Sequence, residues 1–415
     1  MTAERETSPR PRWAVNIGRL RDLRCLSQEG AAESVGVAAR TWQRWESGAN
    51  KPRPNQLAAI CRLFDVAMTD LERDDEDVNA NRRQVLQLAG LLGLGALGGD
   101  FDRFTAALSS MRVDGQAIED LQGIMDSLSL RSHTDAPALL LPTVRTHQAT
   151  ILTLLREHQT PSVERALQGQ AAQAGRLAGW LDFLLDNRSA AEAEYARAGA
   201  LAVEAGDDTL VARVLVSRSL TVSTVSQSNG AEPGTMPLVL EMLREAIRRA
   251  GPLGAPRLTS WLHERLAEEL AADGQYGAAL HELDTAERIL GAGPRFEGDL
   301  LPTGWDMYWH SAYRGTVARL GGRPEEAIRH LEAALEATGP DMGYDRCVML
   351  TSLGAAYTTQ GDNMDLGIGH LTEALSLAQR HKLPGRKQRI LAVRRGLPSS
   401  EPAVQRLDEQ LRIAS

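Results

Sequence analysis

Ser27 to Arg53 reads SQEGAAESVGVAARTWQRWESGANKPR, and this stretch decides how the chain begins. Its pattern predicts two short helices around a sharp turn. Ser27 suits an N-cap, whose hydroxyl takes an orphan backbone N–H, with Gln28 and Glu29 in the first turn. Ala31, Ala32 and Val35 give the first helix a small apolar face. Gly36 stands where the chain must reverse, a place that favours a residue tolerant of positive φ. Val37 is expected to pack under the turn. A second helix is predicted from about Ala38 to Glu46, with Trp42 and Trp45 turned inward and Arg40, Thr41, Gln43 and Arg44 outside. Ser47-Gly48 closes it, and Lys51 and Arg53 follow in a proline-containing loop.

Such a hairpin is the geometry of a helix-turn-helix, whose second helix enters the major groove. Arginine reads guanine edges bidentately and glutamine reads adenine, while Lys51 and Arg53 suit phosphates. IGRLRDLR, LSQEGAAESVGV, WQRWESGANKP and LAAICRLFDV together resemble the lambda-repressor/Cro-like (XRE) DNA-binding domains over Val15 to about Leu71. The resemblance implies a five-helix head, which we place at residues 13–72 behind a disordered arm at 1–12. The expected DNA-facing set is Gln28, Ala39, Arg40, Thr41, Gln43, Arg44, Lys51 and Arg53. Many relatives carry polar readers where this chain has Ala38-Ala39, so Arg40 and Gln43 must bear more of the base reading. A helical hairpin with ordinary solvated charges is the alternative.

Charge distribution agrees with contact at one end. The 415-residue chain carries a net charge of −8. Arg10 to Asn55 holds nine Arg or Lys against four Asp or Glu, a balance of +5, so the remainder carries −13. A basic head on an acidic body confines nucleic-acid affinity to the head.

The length suits two or three domains at about 150 residues each. Hydrophobic residues at 43% allow sizeable cores, and the dominance of Ala, Leu, Glu and Arg, with aromatics at only 4%, predicts an all-α protein. No apolar run reaches the roughly 18 residues of a membrane span, and the polar start is no signal peptide. Cys25, Cys61 and Cys347 are odd in number and far apart, which predicts reduced thiols in a cytoplasmic protein. Cys25 and Cys61 fall in helical patterns and are expected to be buried.

Residues 73–100 read as a linker, with the charged run ERDDEDVNAN from Glu72, then RRQVLQLAGLLGLGALGGD from Arg82 to Asp100. Arg82-Arg83 before an apolar run looks like an export signal, but it starts far from the terminus. Gly93 to Gly98 matches G-x-G-x-x-G without the strand that the dinucleotide fingerprint needs. An apolar helix with a glycine elbow is the expectation. Residues 101–167 form a helical region. Ile118, Leu121, Ile124, Met125 and Leu128 recur at three and four, Val144 to Leu155 suggests another helix, and Pro137, Pro142 and Pro161 punctuate them.

Residues 168–381 repeat. Gly175, Ala178 and Gly179 precede Ala191, Tyr195 and Ala198; Leu266 and Ala267 precede Ala279, Leu283 and Ala286; Gly315 precedes Ala327, Leu331 and Ala334; Leu353 and Gly354 precede Gly367, Leu371 and Ala374. A degenerate unit sits at Val239, Leu243 and Ala246. Small residues let paired helices approach, and Tyr195 or a leucine is expected to fill the gap between neighbouring repeats. The pattern resembles the tetratricopeptide (TPR) family, though its spacings of 48 and 40 exceed that family's period of about 34. A coiled coil or generic bundle is the alternative. Residues 382–415 are expected to be capping helices. Within them RKQRILAVRR reads as a basic cap with solvated charge, or else as a second nucleic-acid patch.

Resemblance to TPR arrays implies a concave groove lined by the first helix of each pair. At matching offsets that gives Gln173, Arg176 and Trp180; Trp261, Glu264 and Glu268; Trp309, Ala312 and Thr316; and Val348, Thr351 and Ala355. Exposed tryptophan favours recognition, while filling gaps between repeats is the alternative. Arg176 suits a ligand carboxylate, or else a surface ion pair. Scattered histidines and missing catalytic motifs point to no enzyme, cofactor or metal site.

Head and body together resemble bacterial quorum-sensing regulators that join a Cro-like head to a TPR peptide receptor. That likeness implies a homodimer on a double-stranded DNA operator, with a signalling peptide, small molecule or partner protein in the groove. Composition suggests a GC-rich source such as an actinobacterium. The rival is a TPR scaffold or adaptor whose head only localises it.

Overall fold

The computed structural model describes residues 10–23, 26–64, 68, 71, 113–157, 159–223, 235–251, 255–292, 305–340, 342–360 and 363–413. The expected arm, linker, glycine elbow and long interhelical loops lie mostly outside them. Every regular element among the described residues is helical. The chain divides into two compact units, Met1–Leu86 and Gln87–Ser415.

The first unit holds α1 (Arg12–Leu23), α2 (Gln28–Ser34), α3 (Ala39–Glu46) and α4 (Pro54–Phe64). The fifth expected helix falls after Phe64, where only Met68 and Leu71 are described. Trp13, Ile17, Ala31, Ala32, Trp42, Trp45, Ile60 and Phe64 make one core. Trp42 is fully buried, with Trp45 at 5.7 Å and Phe64 edge-on at 6.1 Å between ring centroids. Ser27 Oγ caps α2 by accepting from the Gly30 N–H at 3.0 Å. Ala38 is extended and precedes α3 rather than opening it. Gly36 and Gly48 have φ of +71° and +76°, so both turns need residues without a Cβ penalty. A Cβ on Gly48 would also meet Pro11 Cδ at 2.6 Å.

The first described helices of the second unit are α5 (Gly115–Arg131) and α6 (Pro137–Leu155). Pro142 lies inside α6 and does not end it. It sits in the second turn, so the bond it removes and the carbonyl its ring crowds both fall in the helix's first turn, at Ala138, and the rest of the helix is undisturbed. Five antiparallel pairs follow: α7 (Pro161–Leu184) with α8 (Arg188–Ala205), α9 (Asp208–Val222) with α10 (Thr235–Ala250), α11 (Pro256–Ala272) with α12 (Tyr276–Ala292), α13 (Trp305–Leu320) with α14 (Pro324–Ala337), and α15 (Gly343–Thr358) with α16 (Met364–Arg380). The degenerate unit at Val239 is α10, fully buried at Val239, Leu243 and Ala246. This is an α-solenoid of TPR-like pairs.

Glycines set the close approach within pairs. A Cβ on Gly179 would meet Tyr195 Cε1 at 2.8 Å, one on Gly315 would meet Leu331 Cγ at 2.5 Å, and one on Gly354 would meet Leu371 Cγ at 2.7 Å. Tyr195 and the leucines therefore fill the space inside each pair, not the gap between neighbouring repeats. The large ring needs a bare backbone opposite it, and that lies on the partner helix.

α17 (Pro384–Arg395) and α18 (Pro402–Ile413) end the described chain. α17 packs on α7 as well as on α15 and α16. One apolar cluster joins Ala172, Tyr195 and Leu210 to Leu350, Leu371, Ile390 and Leu407, so the two ends of the repeat array meet. Cys347 is fully buried and its Sγ donates to Ala374 O at 3.3 Å. Burial pushes that thiol up to about 12. Cys61 is only half-buried, since its side of α4 flanks the head core rather than entering it.

Candidate DNA interface and ligand cavity

α3 is amphipathic. Trp42 and Trp45 anchor it, Ala39 packs half-buried beside the core, and Arg40, Gln43 and Arg44 stand exposed on the other face. Thr41 is half-buried, while Lys51 and Arg53 are exposed beyond the helix. Glu46 fixes the orientation. Its carboxylate accepts from Arg21 Nε of α1 at 2.6 Å, Gln28 Nε2 of α2 at 2.5 Å and Trp42 Nε1 of α3 at 2.6 Å. Burial alone would raise the Glu46 carboxyl, but these three donors and the Arg21 charge hold it below the usual range. Gln28 is thus tied to Glu46, so its amide serves the hairpin's geometry before any DNA contact. A half-buried carboxylate bridging three helices was not legible, since Arg21 and Glu46 lie 25 residues apart on different helices.

A family model described as a helix-turn-helix domain matches residues 14–74. The chain carries a helix-turn-helix domain. Among solved structures it is similar to Bacillus thuringiensis PlcR in complex with the peptide PapR7 and DNA, at 11% identity over 92% of this chain and 99% of that one, with a TM-score of 0.33. It is similar to a Rap protein complexed with Competence and Sporulation Factor, at 13% identity over 80% and 87%, TM-score 0.46. Apo ComR from Streptococcus vestibularis matches at 12% identity over 62% and 98%, TM-score 0.25. No curated protein sequence matches the chain.

The second unit contains a cavity of about 530 Å³. Ligand pockets span about 300–1,000 Å³. Of the expected groove residues, Gln173, Arg176, Trp180, Trp261, Glu268, Trp309, Ala312, Thr316 and Val348 line it. Three others do not. Glu264 is buried with its Oε1 2.8 Å from His310 Nδ1, because α13 offers it a nearer partner. Thr351 is buried and donates to Cys347 O at 2.7 Å, a bond back into its own helix. Ala355 is half-buried and off the cavity wall.

The tryptophans pack and line at once. Trp180 stacks on Phe183 at 5.8 Å and meets Tyr344 edge-on at 5.3 Å. Trp261 Nε1 donates to the Tyr313 hydroxyl at 3.0 Å, and Trp309 lies 5.8 Å from Tyr313. The aromatic wall therefore has two parts, one joining α7 to α15 through Trp180 and Tyr344 and one joining α11 to α13 through Trp261, Trp309 and Tyr313.

Arginines supply the rest, and most escaped the sequence reading: Arg213, Arg257, Arg265, Arg386 and Arg389 line the cavity with Arg176. Arg265 is neutralised by its own helix, donating to Glu268 and, at 2.7 Å, to Glu269. Burial alone would lower its pKa, but those carboxylates raise it. Arg176 is no surface ion pair: its Nε is buried without a hydrogen bond, and burial with the Arg213 charge lowers it to about 10. Arg386 is 8% exposed, so α17 is not simply a solvated basic cap. Its spacing did carry a signal, for Arg386 and Arg389 share a helix face with the buried Ile390. Asp345 also lines the wall, accepting from the Tyr308 hydroxyl at 2.9 Å, and burial pushes it up to about 7. No group of three His, Cys, Asp or Glu able to hold a metal occurs among the described residues. No helix there is long and apolar enough to cross a membrane.

Proposed function

We propose that the chain is a sequence-specific DNA-binding transcriptional regulator whose helical-repeat body senses a ligand, a signalling peptide or other small molecule, in its cavity. The observation that carries this reading is the exposed row Arg40, Gln43 and Arg44 on a helix anchored by two buried tryptophans. That row offers bidentate donors to base edges, and Lys51 and Arg53 beyond it suit the phosphates on either side. A cavity of ligand size in the other unit supplies the input.

The working form is a homodimer that sets two recognition helices about 34 Å apart, one turn of DNA. A ligand changes operator affinity only by binding the two states differently. Selection from a random duplex pool, followed by mobility shift at physiological salt, tests the output. A palindromic site bound about a thousandfold more tightly than random DNA is expected. Equal affinity for all sequences overturns the reading.

A further inference from the structure

Arg386 is a buried cation that has no counter-ion among the described residues. Its Nε makes no hydrogen bond, and its guanidinium lies 4.5 Å from the centroid of the Tyr344 ring. The ring stabilises the face of the cation but takes none of its in-plane N–H donors. Its charged neighbour on α17, Arg389, repels it. The carboxylate whose charge favours its cationic form is Glu268, and that group already pairs with Arg265. Burying an uncompensated charge is costly, and a fold normally supplies its partner, as Arg265 shows. Both Arg386 and Arg389 line the cavity, with Arg176, equally without a bond at Nε, on another wall.

We propose that the cavity is an anion site in which an acidic group of the ligand, a carboxylate or a phosphate, docks against Arg386 and Arg389, with Arg176 available to a second acidic group. The assignment rests on the cavity being the ligand site proposed above. Its placement has a consequence. Gly385 lies at the seam between α17 and α7, where a Cβ would come within 3.2 Å of Phe183 O and 3.3 Å of Leu184 O. Arg386 is therefore held where the two ends of the repeat meet, and an anion on it ties that seam. Bidentate recognition of planar or tetrahedral oxyanions is what a guanidinium does best.

The test is calorimetric titration of the full chain with citrate and with inorganic pyrophosphate, against sodium chloride at equal ionic strength. One of the two should bind with a Kd below about 1 mM and raise the melting temperature. Whichever binds more tightly tells a carboxylate ligand from a phosphorylated one. Arg386→Met should weaken that binding about tenfold or more, with Arg386→Lys intermediate. Arg389→Met, at a half-buried position, should give the same direction if Arg386→Met fails to fold. Ala312→Phe fills the cavity without touching charge and should abolish binding. Neither probe binding above the chloride control, or Arg386→Met and Arg389→Met binding as wild type does, overturns the anion site. If Ala312→Phe abolishes binding while the arginine variants do not, the cavity reading survives and only the anion assignment falls. If Ala312→Phe binds normally while the arginine variants do not, the arginines hold anions outside the cavity, and the site as placed is wrong.

Discussion

Arg40 and Arg44 stand exposed above Trp42 and Trp45, whereas Arg265 and Arg386 in the second unit are both more than nine-tenths buried. The first pair keeps its hydration until a phosphate or base replaces it, so its charge costs the free protein little. The second pair has lost hydration already. Arg265 recovers the loss from Glu268 and Glu269, and Arg386 does not. One residue type thus serves three ends: an open reader, a closed structural tie, and a cation left waiting.

The largest effect should separate the two buried arginines. Arg265→Met leaves Glu269, fully buried, without its cation. It should cost about 3–5 kcal/mol in chemical denaturation. Arg386→Met removes an unpaired charge and should leave the ligand-free protein as stable as wild type or more so. Equal destabilisation by the two would mean that Arg386 has a structural partner after all, and the contrast would collapse.

Next in size is the tie inside the head. Glu46→Gln keeps the shape but weakens charge-assisted bonds from Arg21, Gln28 and Trp42, and should cost about 1–3 kcal/mol. Because the folded carboxyl lies below its ordinary 4.5, its contribution is complete above that pH. It is lost as pH falls through the lower, folded value. Acid titration of wild type and Glu46→Gln, followed by tryptophan fluorescence, should show the variant less sensitive in that limb. If the two acid limbs coincide, Glu46 does not hold the hairpin.

What could be read in advance depended on distance along the chain. The helix-turn-helix is local: Ser27, Gly36 and the Trp42–Trp45 spacing determine it within one short segment. The aromatic wall was also legible, because Trp261 and Trp309 each stand six residues before a small residue and Trp180 one residue after Gly179, all groove-facing offsets of a repeat's first helix. Those offsets could not say which neighbour would take a polar side chain. Glu264 and Glu268 are one turn apart on α11, yet His310 of α13 holds the first, and only the second reaches the cavity. The docking of α17 on α7 was beyond such reading, since it joins segments two hundred residues apart. Sequence alone therefore reads Arg386 and Arg389 as solvated charge on a basic cap.

A smaller effect belongs to the reader itself. Arg40→Ala should cost about 1–3 kcal/mol on the preferred operator and relax preference at a single base position. Competition between operator variants measures it. Uniform loss over every variant would move Arg40 from the base edge to the backbone, and Gln43 and Arg44 would have to carry the specificity left open by Ala38 and Ala39.

The smallest expected change is at Lys51. It is exposed in the loop after α3, beside the buried Pro52, and an exposed cation there neutralises phosphate without reading sequence. Lys51→Ala should weaken binding to specific and random DNA by the same factor. It should also lower the slope of log affinity against log salt by about one, one counter-ion fewer released. The salt slope is the sharper readout, because it counts charges at the interface whatever the operator is. Arg386→Met should leave that slope unchanged. If it shifts the slope as Lys51→Ala does, the buried arginine contacts DNA and the division between open and enclosed cations is wrong.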